Sequence, residues 1–120
     1  MNKWFGIGRA TKDAEMHTTN NGKSVAKFTI AVDRRFKNAD GEKKADFINV
    51  VVWSKLAEIC GKYVTKGKQV GVIGELQTRS YDANGEKKYV DEIIAEEIEL
   101  LGGNNEKVEL VPIDDDTVPF

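Results

Sequence analysis

Phe47-Ile-Asn-Val-Val-Val-Trp53, then Ser54-Lys-Leu-Ala-Glu-Ile-Cys-Gly-Lys-Tyr63, then Gln69-Val-Gly-Val-Ile-Gly-Glu-Leu-Gln-Thr-Arg-Ser-Tyr81 is the stretch on which the fold turns. The first and third pieces are rich in β-branched residues, as strands are. In the first, Ile48, Val50 and Val52 share one face, and Phe47, Asn49, Val51 and Trp53 share the other. The third has two glycines, Gly71 and Gly74, which suit a sharply coiled strand or a bulge. The middle piece reads as a helix. Leu56, Ile59, Cys60 and Tyr63 or Val64 recur at helical spacing, Ser54 can cap the start, and Lys66-Gly67 supplies a stop.

Further strands read outward from this stretch. Val25-Ala-Lys-Phe-Thr-Ile-Ala-Val-Asp33 puts Phe28, Ile30 and Val32 on one face, and Lys27, Thr29 and Asp33 on the other. Tyr89 to Ala95 and Trp4 to Ala10 complete a set of five. Asp40-Gly41 and Asn84-Gly85 sit in two hairpin loops, because both dipeptides favour the positive φ of tight turns. Five strands with one helix between strands 3 and 4 is the chain order of an all-β, five-stranded OB-fold barrel. Periodicity gives these elements and not their closure, and another small β-fold shares the order.

The whole chain is 120 residues, room for one domain and a short tail. Its 40% hydrophobic and 32% charged residues fit a folded domain. No apolar run approaches the roughly 18–20 residues that span a bilayer, so no membrane role is expected. The N-terminus does not read as a signal peptide, which points to the cytosol. One cysteine, Cys60, excludes an internal disulfide and a cysteine-based zinc site. Cys60 reads as helix core and the one histidine, His17, as an exposed loop residue. The carboxylates Asp13, Glu15, Asp40 and Glu42 read as solvated loop groups. Neither a catalytic set, a metal site nor a cofactor motif is found, so no enzyme is expected.

Charge is unevenly spread. Residues 1–90 carry 17 Lys and Arg against 10 Asp and Glu, net +7, while residues 91–120 carry 1 against 10, net −9. A basic body attracts a polyanion. Parity puts Phe47 and Trp53 outward on one strand and Arg79 and Tyr81 outward on the long one. Phe36 follows Arg34-Arg35 at the base of a basic loop. Aromatics among cations suit single-stranded nucleic acid, whose bases stack and whose backbone carries one charge per nucleotide. Phe36, Phe47, Trp53 and Tyr81 are the candidate stacking residues. Arg34, Arg35, Lys37, Lys43, Lys44, Arg79, Lys87 and Lys88 are the candidate phosphate contacts.

After Leu101 the composition becomes that of a linker, residues 102–113, which ends in an acidic tip at 114–120. The tip cannot fold alone and is read as disordered. Asp114, Asp115, Asp116, Pro119 and Phe120 form a compact bait: a ring beside a free carboxylate, behind a row of aspartates. Three other readings compete with DNA binding: an RNA binder, a protein-interaction scaffold, and a small nuclease that would need clustered carboxylates.

Taken together, Gly8-Arg9-Ala-Thr-Lys-Asp13, Asn21-Gly22, Phe28-Thr-Ile-Ala-Val32, Ala45-Asp-Phe-Ile-Asn-Val-Val-Val-Trp53, Lys55-Leu-Ala-Glu58, Tyr63 to Gly67, and Gly74-Glu-Leu-Gln-Thr-Arg-Ser-Tyr81 resemble the bacterial and bacteriophage single-stranded DNA-binding proteins. The resemblance runs from about Gly8 to Leu101 and resumes at the tail. It implies an OB-fold over residues 1–101, a homotetramer, and sequence-independent binding of single-stranded DNA during replication, recombination and repair. It implies that Phe36, Phe47, Trp53 and Tyr81 stack on bases. It also implies that the acidic tip, ending in Pro-Phe, recruits replication, repair and recombination enzymes, in a bacterial cytoplasm or nucleoid or a phage-infected cell. The family's long linker is replaced here by about a dozen residues, about 40 Å fully extended. Thr117-Val118 widens the usual gap between the aspartates and Pro-Phe, and Trp4-Phe5 is bulkier than the usual aliphatics.

Overall fold

A computed structural model describes residues 1–36, 39, 41 and 44–101. The order is β1 (Trp4–Ala10), β2 (Glu15–Thr18), β3 (Ser24–Asp33), β4 (Ala45–Trp53), α1 (Ser54–Tyr63), β5 (Gln69–Ala83) and β6 (Glu86–Leu100). Strand β1 runs antiparallel to both β3 and β5, β5 to β6, and β3 to β4, while β6 runs parallel to β4. That circuit returns on itself, so five strands close a barrel and the sheet has no gap between β1 and β3.

The sixth strand is β2, which pairs only with β3. Its four residues are all exposed, so no apolar alternation announces it. His17 therefore lies on an edge strand rather than in a loop, with Nε2 3.7 Å from Glu15 Oε1. Counting the barrel strands alone, the helix does fall between the third and fourth.

The inward faces follow the polarity pattern. Phe28 and Ile30 from β3, Val50 and Val52 from β4, Val70 and Val72 from β5, and Ile93 and Ile98 from β6 make the core. Each such side chain taken fully out of water contributes about 1.5–3 kcal/mol. Helix α1 adds Ala57 and Cys60, followed by Val64 just past its end, so the turn of the helix inward resolves to Val64 while Tyr63 stays exposed. Burial pushes the Cys60 thiol up to about 12, which leaves it an inert core group.

The helix starts and stops differently from its sequence signals. Ser54 makes no cap; it is the first helical residue, at φ 62°, and no side chain caps the N-terminus. A positive φ on a serine is a strained turn, placed immediately after Trp53. The helix closes at Tyr63, and Gly67 lies in the connection beyond, its N–H donating to the Ala10 carbonyl at 2.8 Å.

The β5–β6 hairpin is the longest feature and reaches past the barrel as an arm. Asn84 and Gly85 turn it with φ of 54° and 79°, the pair of positive values that a two-residue hairpin loop requires. Register slips between Ile73 and Gly74, the bulge that the glycines suggested. A Cβ at Gly74 would collide with the Ile94 carbonyl, so only glycine lets the two strands approach there. Strand β6 extends well beyond Tyr89–Ala95: Glu97 and Glu99 break the apolar pattern but keep the ladder with β5, and Glu96 is the extra residue at the bulge.

Candidate nucleic-acid interface

The outer sides of β3, β4, β6 and β5 join into one continuous face. Register places Ala31 beside Phe47, Thr29 beside Asn49, and Lys27 beside Val51. Across the parallel pair, Asn49 meets Glu92 and Val51 meets Ile94, and across the last pair Glu92 meets Gln77. Parity correctly sends Phe47 and Trp53 outward, 66% and 41% exposed. They stand six residues apart on one strand, about 20 Å at 3.3–3.4 Å per residue. Val51 lies between them on the same face but is buried rather than exposed. Tyr81 is 47% exposed on β5, and Phe36 is 75% exposed where the chain leaves β3. All four candidate stacking rings are thus open to solvent, which is costly for aromatic surface unless something covers it.

Two arginines accompany the rings. The Arg35 guanidinium sits 5.3 Å from the Phe36 ring centre, and that of Arg79 sits 6.0 Å from the Tyr81 ring centre. Arg79 also donates from Nε and Nη2 to the two carboxylate oxygens of Glu92, each at 3.1 Å. Arg34 does the same to Asp46, with Nη2 to Oδ1 at 2.8 Å and Nε to Oδ2 at 3.1 Å. These bidentate forks fix the guanidinium planes. Hydrogen bonding to the carboxylates raises both arginines further above their ordinary values. In turn Arg34 holds the Asp46 carboxyl below its usual range. A carboxyl depressed on folding stabilises the fold above the unfolded-state value and loses that contribution as pH falls through the lower, folded value. The Arg34–Asp46 pair therefore stays ionised at neutral pH. It is solvent-exposed, so salt screens it and its role is orientation.

The predicted cations scatter around the rim. Lys88 is the cross-strand partner of Tyr81 and lies 3.5 Å from Glu86, and Lys87 is opposite Asp82 near the arm's tip. The Lys44 carbonyl accepts the Arg34 N–H at 2.9 Å, which draws the two ends of the loop together. Lys37 and Lys43 lie outside the described residues, as do the linker 102–113 and Asp114, Asp115, Asp116, Pro119 and Phe120.

Sequence reasoning missed three parts of the face. Lys27 is exposed beside Val51, and parity already put it on the outer side. Thr29 Oγ1 donates to Asn49 Oδ1 at 3.1 Å, while Asn49 Nδ2 reaches the Asp91 carbonyl at 3.5 Å, a polar ladder across three strands. Glu92 is the third, and nothing local signals it. Among the described residues, no three His, Cys, Asp or Glu side chains gather as metal ligands. The Asp13 carboxylate instead accepts the Lys66 N–H at 2.9 Å and ties down the connection after the helix.

Comparison with known proteins agrees with this geometry. The profile of the Single-strand binding protein family matches residues 1–101. A Clostridium acetobutylicum protein named Single-stranded DNA-binding protein 3 is 46% identical over 145 aligned positions, covering 100% of both chains. Single-stranded DNA-binding protein 1 of Staphylococcus aureus strain Mu50 is 48% identical, over 88% of this chain and 68% of its own. A solved structure described as Plasmodium falciparum SSB complex with ssDNA superposes with a TM-score of 0.76 at 29% identity, covering 84% of this chain and 95% of that one. With its barrel matched from end to end and relatives aligned along its full length, the chain belongs to the Single-strand binding protein family, OB-fold proteins that bind DNA and are not enzymes.

Proposed function

We propose that this chain coats and protects single-stranded DNA, without sequence preference, during replication, recombination and repair. One observation carries the reading: four exposed aromatic rings, three of them on the outer strand face, with a guanidinium beside Phe36 and another, held by a carboxylate fork, beside Tyr81. Stacking on such rings contributes about 1–3 kcal/mol per base and accepts any base. Phosphates are taken by the rim cations, and association is driven by counterion release. Residues 1–101 serve as the DNA-binding domain, 102–113 as the linker, and Asp114 to Phe120 as the tip that recruits partner enzymes in the bacterial cytoplasm.

Competition titration tests the DNA reading. Oligo-dT is expected to win over duplex DNA of equal length by orders of magnitude, because duplex bases are already stacked, and to win over oligo-U. Equal affinity for single strand and duplex would reduce the protein to a generic basic binder, and preference for RNA would favour the RNA reading.

The same proposal includes a homotetramer. The barrel's reverse side supports it: Phe5 and Ile7 are 69% and 54% exposed beside a groove of about 220 Å³ that Ile73 and Ile98 help to line. Residues Trp4 to Gly8 pair only with β5, so the other edge of β1 is open among the described residues. An open strand edge next to exposed apolar side chains is suited to a second copy. Sedimentation equilibrium at micromolar concentration is expected to give four times the chain mass; a monomer mass overturns this part.

A further inference from the structure

At the centre of the aromatic face stands a carboxylate, where a polyanion is supposed to lie. Glu92 has Asn49 on one side and Gln77 on the other, and its side chain is only 11% exposed. Both of its oxygens are engaged by Nε and Nη2 of Arg79. The pair sums to zero charge. A phosphate brought to Arg79 would also meet Glu92, and two of the five N–H donors of the guanidinium are already used. Besides the N–H bonds of Nη1 and the second of Nη2, Arg79 presents its flat face, beside the ring of Tyr81. A guanidinium plane stacks on a base as an aromatic does.

We propose that Glu92 is a positioning residue: it converts Arg79 from a phosphate contact into a stacking plane beside Tyr81, and keeps the DNA backbone off the middle of the face and on the lysine rim. This rests on the DNA-binding reading above. It revises one residue of the sequence-based phosphate set, Arg79, and adds an acidic residue to a site chosen for its cations. Arg34 differs, because its pair with Asp46 is open to solvent on both sides and can exchange its partner for a phosphate.

Salt dependence tests it, since the slope of log affinity against log salt counts phosphates neutralised, with about 0.7 per contact on a single strand. The experiment titrates the full-length protein with oligo-dT between 0.05 and 0.2 M salt. Glu92→Gln unmasks a cation and is expected to steepen the slope by about 0.7, an extra loss of roughly 2.6-fold in affinity across that range. Glu92→Gln combined with Arg79→Gln removes a neutral pair, so the slope is expected to equal that of the unaltered protein while affinity falls. The proposal is overturned if Glu92→Gln leaves the slope unchanged and the double variant flattens it by about 0.7, the signature of Arg79 acting on a phosphate. If Glu92→Gln does not fold by circular dichroism, the double variant, which leaves no unpaired charge, decides alone. An unaltered protein that fails to bind oligo-dT at all overturns the DNA-binding reading, and this inference falls with it; binding with the contrary slopes overturns this inference alone.

Discussion

Replacing Phe47 and Trp53 together by alanine is expected to weaken oligo-dT binding by at least about 30-fold, and by as much as about 10⁴-fold. The two rings stand about 20 Å apart on one strand, so each meets a different base. Losing two stacks at about 1–3 kcal/mol each gives about 2–6 kcal/mol, and about 1.4 kcal/mol is tenfold. Stability should change little, because both side chains point away from the core that Val50 and Val52 fill from the same strand. Isothermal titration beside a thermal melt measures both quantities. A variant that melts normally and binds as well as the parent would show that the aromatics serve another surface, as the protein-interaction reading requires.

The second large effect belongs to the C-terminal tip, proposed to recruit partner enzymes. Deleting Phe120 alone removes the anchoring ring and relocates the terminal carboxylate, while Asp114, Asp115 and Asp116 remain. Loss of an anchor of this kind costs about 2 kcal/mol or more, roughly 30-fold. DNA affinity should stay put, because the charge that can compete with DNA for the basic body is intact. Deleting the whole of Asp114 to Phe120 should abolish partner binding and preserve or slightly raise DNA affinity at low salt. That rise should fade past about 0.15 M salt, where the Debye length is about 8 Å. Surface plasmon resonance against a helicase or exonuclease of the same host measures the partner arm. If the chain lacking Phe120 binds as well as the full chain, the tip is a charged solubiliser.

What could be read from the sequence was what repeats within one element. Phe28, Ile30 and Val32 alternate, and they face inward. Asn84-Gly85 demands two positive φ values, and both are present. Parity alone sent Phe47, Trp53 and Tyr81 outward. What could not be read was set between elements. Strand β2 has no buried residue; it takes the edge that β3 offers and lays Met16 against Gly61 of the helix. Val51 has the parity of an exposed residue and is buried by neighbours on strands that the local pattern does not name. The Arg79–Glu92 fork depends on Arg79 lying across from Val90, one diagonal step from Glu92. That register follows from the turn at Asn84-Gly85, counted backward along the whole arm. Ser54 is the opposite case: its residue type suggests a cap, but the bend after Trp53 forces it into a positive φ instead.

The central claim is that bases stack on the outer face of the barrel, and tryptophan fluorescence tests it most directly, because the chain has two tryptophans in opposite settings. Trp53 is exposed on that face, whereas Trp4 packs against the core with its indole over Gly6. Saturating oligo-dT is expected to quench the emission of the unaltered protein and of Trp4→Phe, and to leave that of Trp53→Phe nearly unchanged. A quench that survives in Trp53→Phe and disappears in Trp4→Phe would contradict the account and place the DNA on the other side of the barrel.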